Sequence, residues 1–297
     1  MEALCVLFSL LALAGGGGGA ADPSEVRARV LLEEHGAGYR VMETVAYRYV
    51  LPLDGERYVG EVMTPIEATF DRFRLDTQKL GWGLARPAEK PEIVMFTDQA
   101  RWRAHVERRG YAPVDGYDRV SGRVLLYDLG TAPEHAARSK KERLALNIAQ
   151  ATRAAARQLW YASGFLERAH TYPAWLEDGL AIALERDATH ESASLFHDGR
   201  RTRLATLRAA EERGLTLALA EWVDGGLADR PLDDLARPSL REAQAWALVR
   251  HWIATDPSSL PRYVQALEHD ADPRAALAEH LGSLAELEAH YLARPRR

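Results

Sequence analysis

Two arginines four residues apart, Arg153 and Arg157, stand 21 residues ahead of an acidic pair, Glu177-Asp178. Guanidinium groups and a carboxylate can do one thing well together: form charge-assisted, potentially two-armed hydrogen bonds. Neither arginine can give a lone pair to a metal or take a proton near neutral pH. Other chemistry-bearing residues are scattered. His190-Glu191 begins half of an H-E-x-x-H pattern, but Ser194 stands where the second histidine belongs and His197 follows three residues late. His190, His197 and Asp198 are therefore the residues of a relocated metal site only if chance spacing among ten histidines is set aside. Arg200, Arg201 and Arg203 form one basic knot and Arg294, Arg296 and Arg297 another, both read as solvated helix ends. No G-x-S-x-G elbow, G-x-x-x-x-G-K loop or G-x-G-x-x-G fingerprint stands between a strand and a helix, so nucleophilic and nucleotide chemistry lack a motif.

The elements that must position Arg153, Arg157 and Asp178 are helices. Ser139-Lys140-Lys141-Glu142 is a capping box, after which Leu144, Ile148, Ala151, Ala155 and Leu159 recur on one face until Gly164. Pro173 opens a second helix with Leu176, Leu180 and Leu184 inward. Ser239 with Glu242, Asp272 with Pro273 and Ser283 with Glu286 start three more. Ahead of these, β-rich pieces at Val26 to Leu32, Tyr39 to Met42 and Val45 to Leu51 are separated by turn residues and read as a small antiparallel or mixed sheet. Thr64-Pro65-Ile66-Glu67 reads as a helix start, Ile93 to Phe96 as a buried strand, Thr97 as the cap of a helix ending at Gly110, and Val120 to Leu129 as a hairpin-like strand segment. The expected fold class is α+β, with the sheet packed on a helical C-terminal part that begins near residue 133.

At 297 residues the chain can bury roughly 75% of its unfolded surface without a metal or disulfide staple. Its net charge of −5 argues against binding nucleic acid through phosphate contacts. The one cysteine, Cys5, lies in an apolar run followed by five glycines and Ala20-Ala21, which reads as a signal peptide over residues 1–21 or, uncleaved, a membrane anchor. Export to the periplasm or the exterior is expected from the first reading, and membrane attachment only from the second.

Arg153-Ala154-Ala155-Ala156-Arg157-Gln158-Leu159, followed by Pro173-Ala174-Trp175-Leu176-Glu177-Asp178-Gly179-Leu180-Ala181, resembles the secreted bacterial peptidase-MA-like domains of the gluzincin clan. There H-E-x-x-H-Q-L precedes P-x-W-L-x-E-G-L-A by about twenty residues. Ile93 to Phe96 with its following helix, Gln244 to Val249 and Leu284 to Leu292 are similar to other parts of that family. Three regions are expected: the signal-like segment 1–21, an N-terminal β-rich and helical region 22–90 and, from the resemblance, a gluzincin-like domain 91–293. The resemblance also implies that Arg153 stands at the first zinc histidine, Ala154 at the catalytic glutamate, Arg157 at the second histidine and Asp178 at the third ligand. Only Asp178 keeps a usable group, so the expectation is no metal, no cofactor and no catalytic residue, with these four positions vestigial.

A sharper expectation is that an arginine of the pair makes a two-armed contact with Asp178 where the dication sat. Against it stands the reading that both arginines, about 120° and 160° around the helix from Leu159, are solvated. Trp160, Trp175 and Trp246 line either a retained cleft or simply the core. Three functions are carried forward: an inactive peptidase homologue that binds a peptide or envelope protein in the old groove or serves as a structural module, a working zinc hydrolase with other ligands, and an envelope interaction protein using its N-terminal sheet.

Overall fold

The structure, a computed structural model, describes residues 22–110, 116–183, 199–214, 216, 219 and 236–287, with backbone alone at 199–202 and 236–239. Five strands form one sheet: β1 (Tyr39–Glu43), β2 (Arg48–Pro52), β3 (Glu92–Phe96), β4 (Tyr117–Asp118) and β5 (Arg123–Tyr127), in the order β1-β2-β3-β5-β4. β1 and β2 are antiparallel with Val41 opposite Val50; β2, β3 and β5 are parallel, with Val94 opposite Val50 and Leu125; β4 closes the far edge antiparallel to β5. Parallel strands covered on both faces read as unbroken apolar runs, which is why Ile93 to Phe96 and Val124 to Tyr127 carry no alternation.

The α-helices are α1 (Pro23–His35), α2 (Glu56–Lys79), α3 (Gln99–Arg109), α4 (Lys140–Ala162), α5 (Ala174–Ala183), α6 (Gly199–Glu212), α7 (Ala236–Thr255), α8 (Ser259–Glu268) and α9 (Pro273–Leu281), and a further, closing helix is described over 284–287. Tyr49, Leu51, Ile93, Met95, Val124 and Leu126 point to one face of the sheet and pack with α2 and α4. Val50, Val94, Phe96, Leu125 and Tyr127 point to the other, meeting Leu31 of α1 and Val106 of α3. Behind α4 the remaining helices stack outward, so the molecule is α+β with a mixed sheet sandwiched between helical layers.

Several sequence expectations are corrected. Val26 to Leu32 is helical, because Asp22 accepts from Ser24 N at 2.9 Å and Pro23 occupies the first turn. The β-branched Val26 and Val30 stay outside, 46% and 42% exposed, and decide nothing. α2 begins at Glu56 and runs through Pro65, since Tyr58, Val59 and Val62 extend the buried stripe of Ile66, Phe70 and Phe73 by two turns. Burying three more large side chains at about 1.5–3 kcal/mol each outweighs the roughly 3 kcal/mol of an interior proline. Asp98, not Thr97, caps α3, accepting from Arg101 N at 2.8 Å. α7 starts three residues before Ser239, and α6 and α8 had no sequence expectation. The capping box at Ser139 and the Asp272-Pro273 start are as expected. Leu184 lies outside the described residues, as does residue 288 onward of the closing helix.

Candidate functional site

α4 is the element from which the site is built. Ser139 N donates to Glu142 Oε2 at 2.7 Å and Glu142 N to Ser139 Oγ at 3.3 Å, closing its first turn. Farther along, Ala151, Ala154 and Ala155 are fully buried, and these small side chains let the helix lie close under the sheet. Gln158 then pins it: its Nε2 donates to Glu92 O at 2.9 Å and Gly122 O at 2.8 Å, joining α4 to β3 and to the turn before β5. A Cβ added at Gly116, just before β4, would lie 3.4 Å from Ala154 Cβ, so that methyl is packed against the strand backbone.

Opposite α4 lie α5 and α7. Gly179 permits their contact, because a Cβ there would fall 2.5 Å from Val249 Cγ2 and 2.6 Å from Ala245 O. Trp160 Nε1 donates to Leu180 O at 2.9 Å and links α4 to α5. The close approach brings two carboxylates onto the arginine face of α4. Arg157 Nη2 donates to Asp178 Oδ1 at 2.6 Å, with the arginine side chain 1% exposed and the aspartate 21%. One turn earlier Arg153 reaches α7 with both arms, Nη1 to Glu242 Oε1 at 2.7 Å and Nη2 to Glu242 Oε2 at 3.0 Å. The 153/157 spacing thus becomes two rungs that tie three helices together.

The expectation that the arginines are solvated fails for Arg157 and holds only in part for Arg153, whose side chain is 21% exposed. An arginine does meet Asp178, and the two-armed geometry is found at Glu242. In the sequence Glu242 is marked only as a helix-start residue; nothing local makes it a partner for a side chain 89 residues away. Alongside, Tyr161 OH donates to Glu177 Oε1 at 2.7 Å, and Arg119 Nη1 lies 3.7 Å from the same oxygen. Burial, then the Glu177 carboxylate, raises the Tyr161 phenol well above its usual range, so it is a donor and not a base. Its ring stacks on Tyr117 of β4 at 5.3 Å.

The donor set does not fit zinc. Arg153 and Arg157 offer only N–H groups, Ala154 offers none, and Asp178 is already bonded to a guanidinium. Among the described residues no group of three or more histidine, cysteine, aspartate or glutamate side chains is placed to hold a metal ion. Glu177, Glu242 and Asp178 each face a guanidinium, of Arg119, Arg153 and Arg157 respectively, so all three carboxylates of the site are engaged by arginine.

Trp160, Trp175 and Trp246 are all buried, the first two at 1% exposure, and belong to the core. Trp175 stacks on Tyr263 at 5.7 Å and meets Trp252 at 5.3 Å. Arg203 lies over the Trp246 ring at 6.0 Å. His190, Glu191, Ser194, His197, Asp198, Cys5 and the C-terminal arginines lie outside the described residues, and Arg200 and Arg201 are described by backbone only. No helix among the described residues is long and apolar enough to cross a membrane. No protein-family model, no curated protein and no solved structure matches the chain.

Proposed function

We propose that this chain is a non-catalytic relative of gluzincin peptidases, in which arginine–carboxylate pairs bridge the helices that a zinc ion would bridge in an enzyme. The observation that carries the reading is the buried contact from Arg157 to Asp178, between the residues at the second-histidine and third-ligand positions of the resemblance. Two residues 21 apart on different helices touch at the place where the family motif would require two ligands of one ion. The role left to such a scaffold is binding: a peptide or an envelope protein held beside α4 and β4, in a protein exported by its N-terminal segment. The reading assigns it no cofactor, no catalytic residue and no nucleic-acid partner.

Metal analysis tests it. Purified wild-type protein is expected to carry far less than one zinc per chain after dialysis and to leave casein intact. The triple variant R153H/R157H/D178E is expected to bind about one zinc, because it restores three ligands at the same corners. Near-stoichiometric zinc in the wild type, or chelator-sensitive turnover of casein, overturns the reading in favour of a hydrolase with other ligands. A folded triple variant that stays zinc-free shows that these positions are not coordination corners.

A further inference from the structure

α1 is held to the molecule in an unusual way. Of its apolar side chains only Leu31 is buried, while Val26, Val30 and Leu32 remain exposed. Polar contacts to the start of the parallel strands do the rest. Glu43, Arg48, Glu92 and Arg123 form an alternating row across β1, β2, β3 and β5: Arg48 Nε to Glu43 Oε1 at 2.8 Å, Arg48 Nη1 to Glu92 Oε1 at 3.2 Å, Arg123 Nε to Glu92 Oε2 at 2.9 Å. α1 docks on this row through Arg27, two-armed to Glu92 at 2.6 and 2.7 Å, through Ser24 to Glu43, and through Glu34 to Arg123 at 2.8 Å and to Arg109 of α3.

At the C-terminal end of α1 this layer closes on a pair of histidines. His35 stacks on His105 of α3, with ring centroids 5.0 Å apart and planes at 15°, and both rings lean on Phe96 of β3. The side chain of His35 is 2% exposed and His105 is 4% exposed. Among the described residues, neither Nε2 has a hydrogen-bond partner. We infer that this stacked pair is an acid-sensitive latch: neutral, it fastens α1 and α3 over the sheet, and protonated, it releases them.

The charged and titratable surroundings favour the neutral state. Arg123 of β5 and Arg108 and Arg109 of α3 face the pair, against Glu34 of α1, Glu92 of β3 and Asp118 of β4; Tyr39 of β1 packs on His35. Glu34 Oε1 is 3.9 Å from His35 Nε2 but is already shared by two arginines. The end of a helix would ordinarily favour an imidazolium. Here burial, then His105, Arg123 and Arg108 prevail and lower His35 to about 4; burial, then Arg108 and Arg123 lower His105. Groups whose folded value lies below the unfolded one, about 6.5 for histidine, stabilise above that value and lose the contribution as pH falls toward the folded value. The window is thus about pH 6.5 down to 4. Within it the acidic anchors hold: Glu43 is lowered to about 2, its burial outweighed by Lys90, Ser24 and Arg48, and Glu92 is lowered by Arg27 and Arg123 against its burial.

Hydrogen exchange of the whole chain at pH 7 and pH 5, corrected for intrinsic rates, tests the latch. His35 alone predicts opening of residues 22–36 to be about 20-fold more favourable at pH 5, with His105 adding in the same direction. Opening that changes less than about twofold overturns the inference. The variant H35F/H105F keeps stacked rings without a titrating nitrogen and is expected to abolish the pH dependence; if it retains the wild-type response, the histidines are not its cause. Should that variant fail to fold, imidazole titration of the wild type by NMR decides, and a His35 midpoint near 6.5 refutes the latch.

Discussion

Replacing Asp178 by alanine probes the buried bridge most directly. The substitution leaves Arg157, 1% exposed, with its charge and without the carboxylate at 2.6 Å. Removing one partner of a buried pair costs about 3–5 kcal/mol. Asp178 is itself 21% exposed, so water can enter the space it vacates, which argues for the lower end, about 3 kcal/mol. For a chain of 297 residues, with an unfolding entropy of about 2.1 cal/mol/K per residue, that corresponds to a fall in Tm of about 5 °C. Scanning calorimetry and urea unfolding at pH 7 measure it. R157M/D178L removes both members of the bridge, and its difference from the two single variants in a double-mutant cycle gives the energy of this one contact. A loss below about 0.5 kcal/mol for Asp178→Ala, the scale of an exposed pair, refutes the account of a bridge sealed between helices.

Other perturbations separate the contributions around it. Arg153→Ala breaks a two-armed contact between half-open side chains, 21% and 32% exposed, and is expected to cost under about 1 kcal/mol in the same unfolding assay. Gly179→Ala adds a Cβ 2.5 Å from Val249 and 2.6 Å from Ala245 O; its destabilisation of about 1–3 kcal/mol by overpacking should exceed any gain in helix propensity. Gln158→Leu strips the donor from two carbonyls, Glu92 O and Gly122 O, and should lower stability by about 1–3 kcal/mol in chemical denaturation. Glu92 and Glu43 titrate below their unfolded values, so their contribution is complete above about pH 4.5 and disappears as pH falls through the folded values. Glu92→Gln should flatten that acid limb in a pH series of thermal unfolding.

How far the sequence was legible varies by element. Where a local motif satisfies its own backbone, as with the boxes at Ser139 and Ser283, the cap at Asp272 or the glycine at Gly110 with φ 74°, the boundary could be read residue by residue. Buried strands such as Ile93 to Phe96 announced themselves by unbroken apolar character. Misreadings arose where local signals competed with packing. Pro65 looked like a helix start because its ring fits one, yet the stripe beginning at Tyr58 carries α2 past it. Val26 and Val30 looked like strand residues because they are β-branched, yet Asp22-Pro23 starts a helix and its polar side chains fasten it to the sheet.

For the candidate site, residue types alone determined what chemistry is impossible: a guanidinium at 153 and 157 and a methyl at 154 give no ligand and no base wherever they lie. The spacing of four also placed both arginines on one helical face. Asp178 was expected as a partner from the resemblance, whereas Glu242, and which arginine meets which carboxylate, were decided only by tertiary structure, because the two carboxylates arrive from helices whose approach depends on Gly179 and on the seating of α4 beneath the sheet. The stacking of His35 on His105 likewise joins residues that no local pattern connects. A side chain's intrinsic chemistry travels with its identity, whereas its burial and partners, and hence its pKa and its energy, exist only once distant segments have packed around it.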